Sequence, residues 1–567
     1  MDSIFEANLL ALSGQNPHLY SWLKNRTPLS NHYAFLKSRS SEIVPALLLS
    51  PENARPLHSM IDPQREAERL VSTITDDTGF VIFLGLGGGF APEAALEYTT
   101  AQVMVIDFDI DGIAELFSSI DYTKLLQDAR FTLCVDPSDE EIKNFILEQY
   151  KPALCGGIKT IPLRTRTEFA FSKFDNAAKV IEEAIENVAA DYSVQARFGQ
   201  RWFSNIIRNL RAAEKAPETF SLKNGGSTRE AAIVAAGPSL DQQIPALAEC
   251  KSRQVFIISS DTALPVLLHH GIEPDAAVSI DCQHISYYHF IGCNLRNIPL
   301  FLDIASPPLL SRFSPPFFFS SGHPLALYIS QHWRPLPRLD TSGGNVTYAC
   351  LSLAENLGAK RITLFGADFS YVRSRTYARG TYIYPYFEKK QDRLSPLEAL
   401  FSSFLYRSPF LPPENRDKKL GQKQNYYETF SLRFYRKKFE EKAAMMGAQI
   451  TAAEGQGASI DLSRKMPRNG GSANPSGITV KTPDAAGISA VEFLEQYRGD
   501  IAALPKASGA GCLRQLNIKD RQVFTTLLPY AAALKYRSPT LKTGDLIEET
   551  KLICIEAIDR VMNTHFI

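Results

Sequence analysis

The sequence predicts an α/β protein. Two observations carry that expectation. Between Ala231 and Phe365, apolar runs of strand length recur, each ending in glycine, serine or aspartate and most leading into a helical stretch. Upstream, Val81-Ile-Phe-Leu84 enters a glycine-rich turn, Gly85-Leu-Gly-Gly-Gly89. Strands alternating with helices build parallel sheets covered on both faces, and such sheets take ligands outside the carboxyl ends of their strands. The fold class is therefore a Rossmann-like parallel-sheet central domain, with an N-terminal Rossmann-like domain and a helical C-terminal region.

At 567 residues the chain is too long for one core, and a unit of about 150 residues suggests three or four. The boundaries read as 1–165 for the N-terminal domain, 166–228 for a helical connector and 229–463 for the central domain. A loop-rich linker at 464–487 and a helical region at 488–567 complete the chain. The linker is marked by Arg464-Lys-Met-Pro-Arg-Asn-Gly-Gly-Ser-Ala-Asn-Pro-Ser-Gly477, and the polar loop Ser221–Thr228 closes the connector. Within the connector, Phe169, Phe174, Ala177, Val180, Ile181, Ile185 and Val188 recur at three and four spacing, as one face of a helix requires.

Lysine plus arginine (61) equals aspartate plus glutamate (61), so net charge gives no reason to expect a nucleic-acid partner. A locally basic region (Lys389, Lys390, Arg393, Arg416, Lys418, Lys419, Lys423, Arg436, Lys437, Lys438) reads as a solvated face or as a docking surface for an acceptor. The eight cysteines form no C-x-x-C pair and no metal-type spacing, and they read as small buried hydrophobes in a reducing compartment. No run approaches the length of a membrane span, and the amino terminus lacks a signal-peptide pattern. The expected address is cytoplasmic.

In the N-terminal unit, the glycine turn is followed by a helix and by Val103–Ile106, ending at Asp107 and Asp109. Glycines admit close backbone approach, and an acidic residue about twenty positions on can accept from a ribose hydroxyl. The full G-x-G-x-x-G spacing is missing, so a purely structural Rossmann half and a nucleotide pocket both remain open.

The central domain is richer. Ala231–Ala236 runs into Gly237-Pro238-Ser239 and then a helix, a junction whose free amides favour an anion such as phosphate, or else an ordinary capped turn. Val255–Ile258 delivers Ser259, Ser260 and Asp261, and the helix after it ends at Gly271. Ala276–Ile280 delivers Asp281, Pro299–Leu302 delivers Asp303, and Phe317–Phe319 delivers Ser320, Ser321, Gly322 and His323. The turn Ser342-Gly343-Gly344-Asn345 precedes another helix, and Arg361–Phe365 delivers Gly366, Ala367 and Asp368. A single such aspartate is usually a cap. Several in one domain beside a phosphate-type turn predict a nucleotide site.

Taken together, Ala236-Gly-Pro-Ser-Leu-Asp241, Ser260-Asp261-Thr-Ala-Leu, Gly271-Ile-Glu-Pro-Asp275 with Ser279-Ile-Asp281, Ser342-Gly-Gly-Asn-Val346, and Leu364–Tyr371 with Thr376-Tyr-Ala-Arg-Gly380 resemble the motility accessory factor (Maf) glycosyltransferases. The upstream His58–Glu68 stretch resembles the segment before that family's N-terminal domain. The resemblance implies a sialyltransferase-like central domain that moves a nonulosonic acid from a CMP-activated donor to serine or threonine hydroxyls of flagellin. Gly237, Pro238 and Ser239 would then hold the donor phosphate, while Asp261, with neighbouring Ser260, and the Ser342–Asn345 turn would hold cytidine and ribose or the sugar carboxylate. Asp281 and Asp368 would line the reacting centre.

The same domain also resembles 6-hydroxymethylpterin diphosphokinase. That reading would make the aspartates ligands of a divalent metal at an ATP site. Sugar transfer needs a base near the acceptor hydroxyl and neutralisation of the departing phosphate. His284, His289 and His323 are candidates for the base by position, with Asp281 or Asp368 as alternatives. Tyr371 and Tyr377 are candidate donors to the phosphate, with Arg373, Arg375 or Arg379 beside them. A non-catalytic nucleotide-binding or flagellin-chaperone module is a third class.

Overall fold

The computed structural model describes residues 3–26, 32–50, 52–216, 229–411, 426–463, 487–506, 513 and 516–563. The expected linker falls almost wholly outside them, as do Ser221–Thr228 and the basic residues Arg416, Lys418, Lys419 and Lys423. The chain divides into two compact units, Met1–Gln200 with Asp500–Glu556, and Arg201–Gly499 with Ala557–Ile567. Among the described residues, no helix is long and apolar enough to cross a membrane.

In the first unit, an antiparallel meander of β1 (Tyr33–Lys37), β2 (Ile43–Ser50) and β3 (Asn53–Pro56) precedes the Rossmann-like half. The parallel strands β4 (Phe80–Leu84), β5 (Gln102–Asp107), β6 (Phe131–Val135) and β7 (Ile158–Pro162) lie in the order β6-β5-β4-β7. Both β4 and β5 are buried at every position, as a sheet covered on two faces requires. Local signals set the helix starts: Asp62 accepts from the Arg65 amide ahead of the helix Pro63–Val71, and Ser138 and Glu141 form a reciprocal capping box. The helix Phe171–Lys215 runs on from this half. Phe174, Ala177, Val180, Ile181, Ala184 and Val188 bury its inner face, while Phe169, just before it, is exposed.

In the second unit, the main sheet comprises β8 (Glu230–Val234), β9 (Phe256–Ser260), β10 (Ala276–Ser279), β11 (Leu300–Asp303), β12 (Pro316–Phe319), β13 (Arg361–Phe365) and β17 (Gln449–Ala452). Its order is β12-β11-β10-β9-β8-β13-β17, and every pairing is parallel. Side chains alternate between two cores. Ala231, Ile233, Ile258, Ile362 and Leu364 face one that contains Leu353 and Phe439; Ala232, Val234, Ile257 and Phe365 face another with Leu240, Leu247 and Leu267. Strand order reverses between β8 and β13, which makes the crevice beyond their carboxyl ends the topological switch point.

A small antiparallel sheet, β14 (Tyr371–Val372), β15 (Phe410–Leu411) and β16 (Tyr426–Thr429), is ordered β14-β16-β15. Fully buried Arg436 pairs with Glu428 at 2.7 Å, and Arg433 joins the same carboxylate at 2.9 Å, which ties β16 to the helix Phe430–Met445. Arg436 is therefore a structural cation, not part of a solvated basic face. The parallel α/β architecture with helical C-terminal segments (Ala490–Ala503, Ile518–Arg537, Thr543–Asn563) is the one the sequence predicts.

Candidate functional site

The glycine turn of the first unit is filled by its own side chains. Asp107 accepts from the Leu86 amide at 2.7 Å and the Phe108 amide at 2.7 Å, and pairs with buried Arg166 at 3.0 Å. His58 accepts from the Gly88 amide through Nε2 at 2.8 Å, and Tyr122 donates to the Gly87 carbonyl at 2.5 Å. Burial pushes His58 down to about 4, so the ring stays neutral and can accept. The groups that would meet a nucleotide are thus engaged within the chain, and the purely structural alternative describes this turn. A separate cavity of about 810 Å³, lined by Ile74, Asp76, Glu97 and Tyr98 among others, opens at the amino ends of β4 and β5, the end of the sheet away from the turn.

At the switch point of the second unit, two turns pack backbone against backbone. The Gly237 amide donates to the Gly366 carbonyl at 2.8 Å, and a Cβ on Gly237 would sit 2.4 Å from that oxygen. Gly366 has φ +62° and would clash with the Ala235 carbonyl, so glycine is required on both sides. The Asp368 carboxylate accepts from the Ser239 amide at 2.8 Å, at the amino end of the helix Leu240–Ser252, where a negative charge is favoured. Burial, the largest influence on Asp368, nonetheless raises its pKa.

Ser239 is 4 % exposed, and its hydroxyl accepts from the Gln456 amide at 3.0 Å. Gly455 and Gly457 lie against Ser239 and Asp368. Asp368 thus occupies the place at Ser239 that the sequence offered to a phosphate, and residues 453–458 run alongside it.

A second cluster lies beyond β9 and β10. Asp261 is 2 % exposed. One of its oxygens accepts from the Thr262 amide at 2.7 Å, the other from the Ser279 hydroxyl at 2.7 Å. The buried Ser260 hydroxyl accepts from the Ala263 amide. Asp281 accepts from the Gln283 amide at 2.8 Å, and its pKa is raised, first by burial and then by the charge of Asp261.

Tyrosines surround this pair. Tyr377 and Tyr382 both feel Asp261, Tyr382 also feels Asp281, and Tyr435 feels Asp281 and Tyr371. Burial drives all three phenols upward, Tyr382 to about 12, so they remain donors. The Ala378 amide donates to the Ala236 carbonyl, which brings the Tyr377 segment alongside the Gly237 turn.

Within the Ser342–Asn345 turn, Gly344 (φ +70°) faces the Tyr435 ring. Asn345 is occupied as the cap of the helix Val346–Asn356, and buried Gly343 packs on Tyr348. Asp340 anchors the turn, accepting from the Ser342 amide, the Tyr348 hydroxyl and Lys442.

The histidines separate. His289 is buried with its ring 4.3 Å from that of Tyr382, whereas His284 is exposed and stacks on Tyr287. His323 stands before the helix Pro324–His332, with its ring 4.4 Å from Trp202 and its Nε2 3.8 Å from Asp303. The structure therefore brings Asp261, Asp281, Tyr371, Tyr377 and the Gly344 turn around one group, places Asp368 with Gly237 and Ser239 on its flank, and leaves His284 outside. Tyr382, Tyr435 and Trp202 were not singled out from the sequence. Tyr382 carried a faint signal, since it lies in an aromatic run, Tyr377–Phe387. Tyr435 and Trp202 sit on helices distant in sequence and carried none.

Relatives place the chain in a family. An uncharacterised protein of Treponema pallidum (strain Nichols) is 32% identical over 190 residues, which is 32% of this chain and 89% of that protein. The chain belongs to that protein's family. A second Treponema pallidum protein is 47% identical over 92 residues, 16% of this chain; the chain spans about a third of that relative's length (32%).

Residues 204–374 match the model of the MptE-like 6-hydroxymethylpterin diphosphokinase family, a stretch that contains Gly237, Ser239, Asp261, Asp281, the Ser342–Asn345 turn, Asp368 and Tyr371 but not Tyr377. Among solved structures, the Maf glycosyltransferase from Magnetospirillum magneticum AMB-1 superposes with a TM-score of 0.57 at 14% identity, covering 99% of this chain and 95% of that one. The Maf-like fold expected from the motifs of the N-terminal and central domains is borne out.

Proposed function

We propose that the chain is a glycosyltransferase that moves a nonulosonic, sialic-acid-like sugar from a CMP-activated donor to serine or threonine hydroxyls of flagellin, in support of flagellar assembly and motility. The observation that carries the reading is the meeting of acidic tips and protonated phenols at the carboxyl ends of β9 and β10, in a chain with the Maf fold over 99% of its length. Such a group matches what the reaction demands: carboxylates that orient the attacking hydroxyl, and hydrogen-bond donors for the phosphate that leaves.

The acceptor oxygen attacks the anomeric carbon, the bond from that carbon to the CMP oxygen breaks, and its electron pair departs with the phosphate. Tyr371, Tyr377 and Tyr382 donate to that phosphate in this reading. The Gly237-Pro238-Ser239 turn contributes shape, because the Ser239 amide and hydroxyl are already engaged. The Ser342–Asn345 turn, with Tyr435 against it, holds the cytidine and ribose or the sugar carboxylate. Asp281, whose proton affinity burial raises, faces the reacting hydroxyl.

Mass spectrometry of flagellin from a strain lacking this chain tests the reading directly. Loss of a nonulosonic acid adduct supports it, and an unchanged flagellin mass overturns it. The MptE-like match over residues 204–374 favours a second reading, transfer of pyrophosphate from ATP to a hydroxymethylpterin, with Asp261 and Asp281 facing a divalent metal. Binding of ATP that requires magnesium, without binding of CMP, would select it.

A further inference from the structure

We infer that His323 is the base that receives the acceptor hydroxyl's proton, and that Asp303 is the residue that positions and supports it; the inference rests on the transferase reading. Asp303 ends β11 and is completely buried. One of its oxygens accepts from the Ala305 amide at 2.7 Å and stands 3.8 Å from His323 Nε2. Its other oxygen, Oδ2, is buried without a hydrogen-bond partner. A carboxylate held out of water with an idle oxygen is costly unless a cation compensates it. Among the described residues His323 pairs with it, through Oδ1, and it compensates the charge only when protonated.

The pair is therefore arranged for the moment after proton transfer. A neutral imidazole leaves the buried Asp303 charge uncompensated, and an imidazolium beside Oδ1 compensates it, while Oδ2 keeps no hydrogen bond of its own. This is the relation a general base needs with the group behind it.

The surroundings hold His323 in place at the proper edge of the sheet. Its ring packs 4.4 Å from Trp202, whose side chain bonds Cys282, the residue after Asp281. Asn205 ties the same two strand ends together, donating to the Cys282 carbonyl at 3.0 Å and the Ala305 carbonyl at 2.8 Å. Asn209 adds bonds of 2.8 Å to the Ile304 and Ser306 carbonyls. His323 keeps 18 % of its side chain exposed, enough to meet an acceptor, while Asp303 keeps none.

Asp281 is less suited to take the proton. Its oxygens accept from the Gln283 amide and side chain, so protonation there would weaken bonds already made. It is better placed to orient the acceptor. In the balanced step, the hydroxyl proton passes to the free nitrogen of His323 while the oxygen bonds to the anomeric carbon and CMP leaves with the electron pair.

The test uses the full chain. CMP release from a CMP-activated nonulosonic acid in the presence of flagellin gives kcat and KM. His323→Ala is expected to lower kcat about a hundredfold with little change in donor KM, and added imidazole is expected to restore part of the loss. Asp303→Asn is expected to lower kcat similarly with little change in donor KM, and Asp303→Glu, which restores the carboxylate, is expected to recover part of the loss.

An Asp303→Asn chain with wild-type kcat, or an Asp303→Glu chain no more active than Asp303→Asn, overturns the pairing. A His323→Ala chain of undiminished kcat overturns the base, and it does so even if the Asp303 variants do not fold. A wild-type chain that releases no CMP overturns the transferase reading and the base with it, whereas a wild-type chain that releases CMP beside an equally active His323→Ala overturns the base alone.

Discussion

Acid should loosen the first unit through one imidazole. His58 is neutral in the folded chain, accepting from the Gly88 amide at 2.8 Å with 6 % of its side chain exposed, and burial holds its pKa down to about 4. An unfolded histidine titrates near 6.5. Below that value the unfolded chain binds a proton that the folded chain refuses, so this contribution is fully present above about pH 6.5 and is lost as pH falls toward 4. The gap corresponds to roughly 3 kcal/mol, most of it gone by about pH 4.5.

Urea unfolding with amide exchange read on peptides covering Gly85–Phe90 measures the effect in this unit alone. His58→Gln keeps an acceptor oxygen for Gly88 but does not titrate, so its stability should fall less on acidification by about that amount. Equal losses in the variant and the wild type would refute the reasoning.

Asp368→Ala removes the carboxylate from the Ser239 amide, leaving a buried donor at a helix start, and is expected to cost about 2–4 kcal/mol in chemical denaturation, with Asp368→Asn milder. Asp340 is held down at about 2, against the opposing influence of its burial, by hydrogen bonds from Ser342 and Tyr348 and by the Lys442 charge. Its contribution should be complete above the unfolded value near 3.9 and vanish as pH falls through about 2. Comparing Asp340→Asn with the wild type across that window should show the two stabilities converging.

The parallel strands were legible because each is a short apolar run, buried on both faces, that stops at a glycine, serine or aspartate; β8, β9, β10 and β13 fall where those runs fall. Partnerships between distant residues were not. Asp368 and Ser239 meet across 129 positions, and the glycines that pack on them come from 455 and 457. Nothing local in the sequence distinguishes a carboxylate that caps a helix from one that faces a substrate. His58 lies 30 positions before the amide it fills, so the turn at Gly85–Gly89 looked open to a nucleotide. Arg436 looked like surface charge because its neighbours Lys437 and Lys438 are basic, whereas its helical phase turns it onto buried Glu428. Tyr382 and Tyr435 join the aspartates only through tertiary packing, which periodicity does not report.

One measurement bears most directly on the cleft beyond β9 and β10. Purified chain is incubated with a CMP-activated nonulosonic acid and unmodified flagellin, and the acceptor is weighed by mass spectrometry beside Asp281→Asn, a change that preserves size and the bond from the Gln283 backbone amide. The account predicts a sugar-sized mass gain with the wild-type chain and almost none with a folded Asp281→Asn. An equal gain with both would contradict it, as would none with either.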